Sequence, residues 1–264
     1  MAHCYRDESI EKKLLTDKQE LINSFIAALH EVHPQYKSLI NTMNWIFLVD
    51  FISNFNEIYT VNYDLLLYWV INQSYMNCSS SEQTAKDPRD HLKDGFGGSD
   101  NISWKGNIEK IAEQNVYYLH GSLFFYLDDH NILHKLTNQE YGTISQQIRK
   151  YLESGKNPLI VLEGKFEEKL DIIRSSPYLH HAFNSFGRIS DNLFVFGFSL
   201  NEHSDKHLID QIKNSHVKNI FLSNHNLRDD ELNEKINLLT STKKKNFFVF
   251  NSKEATPWSL STKL

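Results

Sequence analysis

The side chains with chemistry to offer collect where short apolar runs give way to polar or small residues: Asn62 and Asp64; His120, Gly121 and Ser122; Glu163 and Gly164; Gly197, Ser199 and Asn201; Ser223 and Asn224. An imidazole exchanges a proton near neutral pH, a carboxamide orients a hydroxyl or a water, and glycine lets a backbone approach a ligand closely. Together they suit a polar ligand and a proton transfer on it. Each residue also has a plain structural use. Asn or Asp after a strand caps the next helix, and Asp64 directly precedes Leu65-Leu66-Leu67-Tyr68-Trp69-Val70. A lone histidine in a turn is usually a satisfied structural residue, and Gly197 can simply permit close helix–strand packing. The set gains weight because turns of this kind meet at the carboxyl edge of a parallel sheet, where open α/β sheets bind ligands.

The elements that must position these turns follow from periodicity. Short apolar runs at 57–61, 116–119, 158–162, 193–196, 219–222 and 247–250 read as strands without alternation, the mark of strands covered on both faces. Helical spacing separates most of them, over 65–75 and near 139–154, 166–174, 177–188, 203–213 and 228–240. Ahead of them, Leu21, Ile22, Phe25, Ile26 and Leu29 give a helix over 17–32 that Pro34 ends. A second helix covers 36–53, although its IFLVDFI stretch also reads as a strand. Strand, polar turn and helix in repetition predict one α/β domain over 1–264, Rossmann-like, with a mostly parallel sheet and flanking helices. It carries a helical N-terminal part over about 8–53 and a polar, irregular insert over about 77–108.

Composition excludes several classes. With 264 residues, 40% hydrophobic and 23% charged, the chain is ordinary globular material. A formal net charge of -5, with Lys243-Lys244-Lys245 the only dense basic run, disfavours nucleic acid as the main partner. Two distant cysteines, Cys4 and Cys78, make no disulfide framework and no paired metal motif, which fits a reducing cytoplasm. No apolar stretch is long enough for a membrane span, and the N-terminus lacks the apolar core of a signal peptide. His203 and His207, four apart with Asp205 between them, have a spacing that can share a metal; two exposed polar positions on a helix are the simpler reading.

The motifs Thr60-Val61-Asn62-Tyr63-Asp64, His120-Gly121-Ser122 and Gly197-Phe198-Ser199-Leu200 occur in the order seen in sirtuins. More closely, NYDLLLYW, YLHGSL, PLIVLEGKFEEKL and the run from Gly197 to Ile209 resemble a bacterial family of unknown function within the sirtuin-like group, over roughly residues 30–215. The resemblance implies NAD as substrate or ligand and release of nicotinamide by a glycohydrolase. It implies that Asn62 orients the ribose or the attacking water, that Asp64 fixes the loop beside the nicotinamide ribose, and that His120 serves as general base. Gly121, Ser122, Gly197, Ser199 and Asn224 would contact the cofactor. Relatives of this kind include NAD-cleaving effectors of anti-phage defence, which brings in a homo-oligomer or a defence protein as partner. Zinc is not implied, because two distant cysteines cannot supply the four thiolates of deacylase sirtuins.

The chain departs from that family at the phosphate end. Sirtuin-like domains begin with a strand and a glycine-rich loop whose amides hold the pyrophosphate. Here no glycine precedes Gly95, and Gly95-Phe96-Gly97-Gly98-Ser99 follows no apolar strand. The chain therefore reads as a member lacking its first strand-loop-helix unit, and a catalytically inactive nucleotide-binding or interaction module is the alternative to the enzyme.

Overall fold

The computed structural model describes residues 8–32, 45–77, 92–98, 102–104, 106, 114–137, 144–162, 164–240 and 244–254. Cys4, Pro34, Cys78, Ser99, Glu163 and Lys243 lie outside them. In chain order the elements are α1 (Glu8–Val32), α2 (Trp45–Ser53), β1 (Ile58–Thr60), α3 (Leu66–Asn77), β2 (Phe96–Gly97), β3 (Ser103–Trp104), β4 (Val116–Tyr118), β5 (Gly121–Leu127) and β6 (Leu133–Lys135). There follow α4 (Ile144–Glu153), β7 (Pro158–Ile160), α5 (Phe166–Ser175), α6 (Pro177–Phe186), β8 (Ser190–Val195), α7 (Glu202–Asn214), β9 (His216–Asn224), α8 (Asp229–Leu239) and β10 (Asn246–Asn251). The first helix starts nine residues earlier than its apolar spacing suggests, at Glu8 rather than 17.

The protein is α/β with both parallel and antiparallel sheets. One sheet pairs β1 with β4 in parallel, with Tyr59 opposite Tyr117. A second runs β10-β9-β8, all parallel. The third, β2-β3-β6-β5-β7, is antiparallel throughout and corrects the expectation of a mostly parallel sheet. Its longest strand, Gly121-Ser122-Leu123-Phe124-Phe125-Tyr126-Leu127, is buried over its first five residues. It lacks alternation and resembles the parallel strands of the other sheets in composition alone. The stretch read as an irregular insert supplies β2 and β3 to this sheet, and Phe96 packs on Phe125 with ring centroids 4.8 Å apart. Gly95 to Gly98 thus build sheet structure.

Strand β4 is the seam between the halves. Strand side chains alternate in direction, so Val116 and Tyr118 join a core with Leu48, Tyr68, Phe124, Phe125 and Tyr178. Tyr117 and Leu119 join the other core, with Phe186, Val195, Leu208, Ile212 and Ile220. Helix α6 spans both cores with Tyr178 and Leu179 in the first and Ala182 and Phe186 in the second. It starts cleanly because Ser176 accepts the Leu179 N–H at 3.4 Å and Pro177 opens the helix.

The seam ends in a turn that only glycine can make. Gly121 has φ +74°, and a Cβ there would lie 2.0 Å from the Leu159 carbonyl oxygen. That close approach lets β5 begin against β7, with Gly121 opposite Ile160. His120 is thereby fixed from both sides. The Leu119 N–H donates to the Thr60 carbonyl at 2.8 Å, and the Val161 N–H donates to the His120 carbonyl at 2.8 Å.

Candidate functional site

The carboxyl ends of β1, β4 and β8 open into one pocket of about 440 Å³, within the range usual for small-molecule sites. It is lined by Val61, Asn62, Tyr63 and Asp64, by His120, by Lys169, by Gly197, Phe198 and Ser199, and by Ser204 and Asp205. Of the residues singled out in the sequence, Asn62, Asp64, His120, Gly197 and Ser199 meet here.

Each wall has a local cause. The turn after β1 is held by its own side chains: Thr60 Oγ1 accepts the Asn62 N–H at 3.1 Å, and Asp64 Oδ1 accepts the Leu66 N–H at 2.8 Å. Asp64 thus caps α3 and faces the pocket as well. Gly197 turns the chain with φ +66°, and the space where its Cβ would stand is open. Its N–H donates to Ser223 Oγ at 3.1 Å. Asn201 caps α7, its Oδ1 accepting from the His203 and Ser204 amides at 2.9 and 3.3 Å.

Gly121, Ser122 and Asn224 are not among the residues that line this pocket. The Gly121 backbone is committed to the β5–β7 approach. Ser122 is fully buried and donates to the Tyr63 carbonyl at 3.1 Å, which also takes the Leu123 N–H at 3.0 Å. It acts on the pocket by holding the 62–64 turn. Asn224 closes the turn before α8, accepting the Leu227 N–H at 2.8 Å.

The site also contains groups that sequence reasoning passed over. Lys169, 2% exposed, lies on the inner face of α5 with its Nζ 3.5 Å from Asp205 Oδ1. The other oxygen of Asp205 accepts from Ser199 Oγ at 3.4 Å and from the Asn201 N–H at 3.3 Å. A buried charge needs such partners. The available signal was a lysine three residues after Phe166 and four before Ile173, in register with the apolar face of its helix.

His207, read from its spacing to His203 as one of two exposed polar positions, instead stands behind His120. It is buried, and its Nε2 lies 3.2 Å from His120 Nε2, with the rings nearly stacked at 27°. His203 is exposed. Among the described residues no three His, Cys, Asp or Glu side chains gather as ligands for a metal ion. Burial pushes the His120 imidazole down to about 3, helped by His207 and Lys169, and burial pushes His207 down to about 4 against the pull of Asp205. Both rings are therefore neutral at physiological pH, and one N–H is shared between their facing nitrogens.

The tautomer follows from the buried His207 Nδ1, which has no hydrogen-bond partner among the described residues. A bare lone pair there costs less than an orphaned N–H, which forfeits about 1–3 kcal/mol. His207 then keeps its proton on Nε2 and donates it to His120 Nε2, so His120 carries its own proton on Nδ1. In this state His120 presents a hydrogen-bond donor, and its proton affinity is that of a weak base.

No described helix is long and apolar enough to cross a membrane. The chain belongs to the family described as Domain of unknown function (DUF4917), which matches residues 3–258. No curated protein matches it. Membership of this family assigns no activity, ligand or partner.

Proposed function

We propose that this DUF4917 protein is a sirtuin-like, Rossmann-type N-glycosidase that releases nicotinamide from NAD by hydrolysis. The observation that carries the reading is the meeting of Asn62, Asp64, His120, Gly197 and Ser199, from the turns after three parallel strands, in one pocket. The cleavage has an oxocarbenium-like transition state, and nicotinamide leaves as a neutral ring without a general acid. Asn62 orients the ribose or the incoming water. Asp64 faces the developing cation. Neutral water attacks an oxocarbenium readily, and the oxonium formed at C1′ is acidic enough for a weak base to deprotonate. In the ground state His120 donates from Nδ1 to the substrate; it accepts the late proton on Nδ1 only after the imidazole pair switches tautomer, with His120 Nε2 then donating to His207 Nε2. The protein's part is orientation and exclusion of bulk water.

Nicotinamide release from NAD by the purified chain tests this directly. Asn62→Ala and His120→Ala should each lower the rate about 100-fold while the circular dichroism spectrum and melting temperature remain those of a folded protein. Full activity in both variants would remove these residues from the reaction. Binding of the dinucleotide without turnover would favour the second reading, an inactive nucleotide-binding module, for which the poor basicity of His120 also speaks.

A further inference from the structure

We infer that the pocket selects a phosphate-free pyridinium N-riboside, the chemical class of nicotinamide riboside, over a dinucleotide; this rests on the glycosidase reading above. The first ground is charge. Asp64 and Asp205 against Lys169 leave the described lining with one net negative charge, two carboxylates minus one ammonium, because His120 is neutral. Lys169 already faces Asp205 at 3.5 Å, which leaves Asp64, bound to the Leu66 N–H, with no ion-pair partner among the described residues. A carboxylate on the wall attracts a pyridinium and follows its charge onto the ribose as the bond breaks. The same carboxylate repels a diphosphate.

The second ground is the state of the amides at the end of β8 and the start of α7, the helix N-terminus that a phosphate entering this pocket would meet. The Gly197 N–H is taken by Ser223 Oγ, the Asn201 N–H by Asp205 Oδ2, and the His203 and Ser204 N–H groups by Asn201 Oδ1. Oxygens of the chain itself occupy the positions that phosphate oxygens would need. At the rim, Lys235 is engaged too, its Nζ donating to the Ser199 carbonyl at 2.6 Å. A dinucleotide would have to displace these bonds, and a riboside displaces none of them.

The reaction balances without a further reagent. The bond from C1′ to the pyridinium nitrogen breaks and its electron pair returns to the ring, giving neutral nicotinamide. A bond from water oxygen to C1′ forms, the water loses one proton to solvent, and ribose is the second product. Nothing is oxidised or reduced.

The experiment compares kcat/KM for nicotinamide release from nicotinamide riboside, nicotinamide mononucleotide and NAD, using the full chain at low and high salt. The riboside should exceed NAD by at least tenfold, the mononucleotide should fall between, and added salt should narrow the gap by screening. Asp64→Asn should narrow it as well, by lowering the riboside rate more than the NAD rate. Lys235→Gln should leave riboside turnover unchanged. Preference for NAD, or a Lys235→Gln variant that loses only NAD turnover from a higher starting rate, would overturn the inference and leave the glycosidase reading standing. Release from none of the three substrates would overturn both.

Discussion

The two halves of the molecule use buried polarity in opposite ways. In the antiparallel half, His134 is paired with a carboxylate, its Nε2 2.9 Å from Asp128 Oδ2, and Asp128 also receives the backbone amides of His130 and Ile132. That arrangement closes the tight turn between β5 and β6, with His134 Nδ1 left without a hydrogen-bond partner among the described residues. At the seam with the parallel half, His120 meets another neutral imidazole, and Lys169 and Asp205 carry charge below a pocket open to solvent. Polar groups that close a turn have local partners six or fewer residues away. At the pocket, His120 and Lys169 find their partners on a distant element, 87 residues away for His120 and His207. The difference separates a turn that stabilises itself from a site whose geometry the fold must hold.

The largest expected effect removes a charge from the seam. Lys169→Met leaves the Asp205 carboxylate buried without its ammonium and should cost about 3–5 kcal/mol in chemical denaturation. The double variant Lys169→Met, Asp205→Leu should recover most of that loss. A single variant as stable as wild type would show that the ion pair is solvated and the seam less dry than its burial implies.

Next in size is the turn itself. Gly121→Ala forces a Cβ toward the Leu159 carbonyl at a positive φ and should destabilise by about 3 kcal/mol. Gly197→Ala has the same sign of φ and open space around it, so it should cost less, about 1 kcal/mol. Equal costs at the two glycines would mean that the β5–β7 approach at Gly121 relaxes easily.

The last effect is in pH dependence. The unfolded chain protonates both imidazoles below about pH 6.5, whereas the folded chain does so only near 3 for His120 and 4 for His207. Unfolding takes up protons in that window, so the contribution is full above about pH 6.5 and falls as the pH drops, by roughly 2 kcal/mol for each imidazole between pH 7 and pH 5. Denaturation midpoints of wild type and of His120→Asn, His207→Asn at the two pH values read it, with a flatter profile expected in the double variant. The turn in the other half works in a lower window. The Ile132 amide holds Asp128 down to about 2, so its contribution is present above pH 3.8 and is lost only as the pH falls toward 2. A wild-type profile that is flat between pH 7 and pH 5 would place the imidazole pair in water.

Much of this is written in local sequence. The apolar runs that became β1, β4, β8, β9 and β10, and the helices between the last three, follow from period and flanking turn residues. So do the turn residues Asn62, Asp64, His120, Gly197 and Ser199, because strand ends in such layers face outward together. Strand β5 was not read from the sequence, and the antiparallel direction of β7 was not legible. A strand buried on both faces has the same composition whether its neighbour is parallel or antiparallel, and the choice was made by Gly121, whose positive φ and missing Cβ admit the Leu159 carbonyl. Nor was it legible that His207 answers His120 rather than His203, or that Lys169 lies against Asp205. Periodicity says which face of α5 and of α7 is buried, but only the packing of those helices over the ends of β4 and β8 decides which polar side chains meet, because the energy of a buried pair depends on a distance that no spacing within either helix contains.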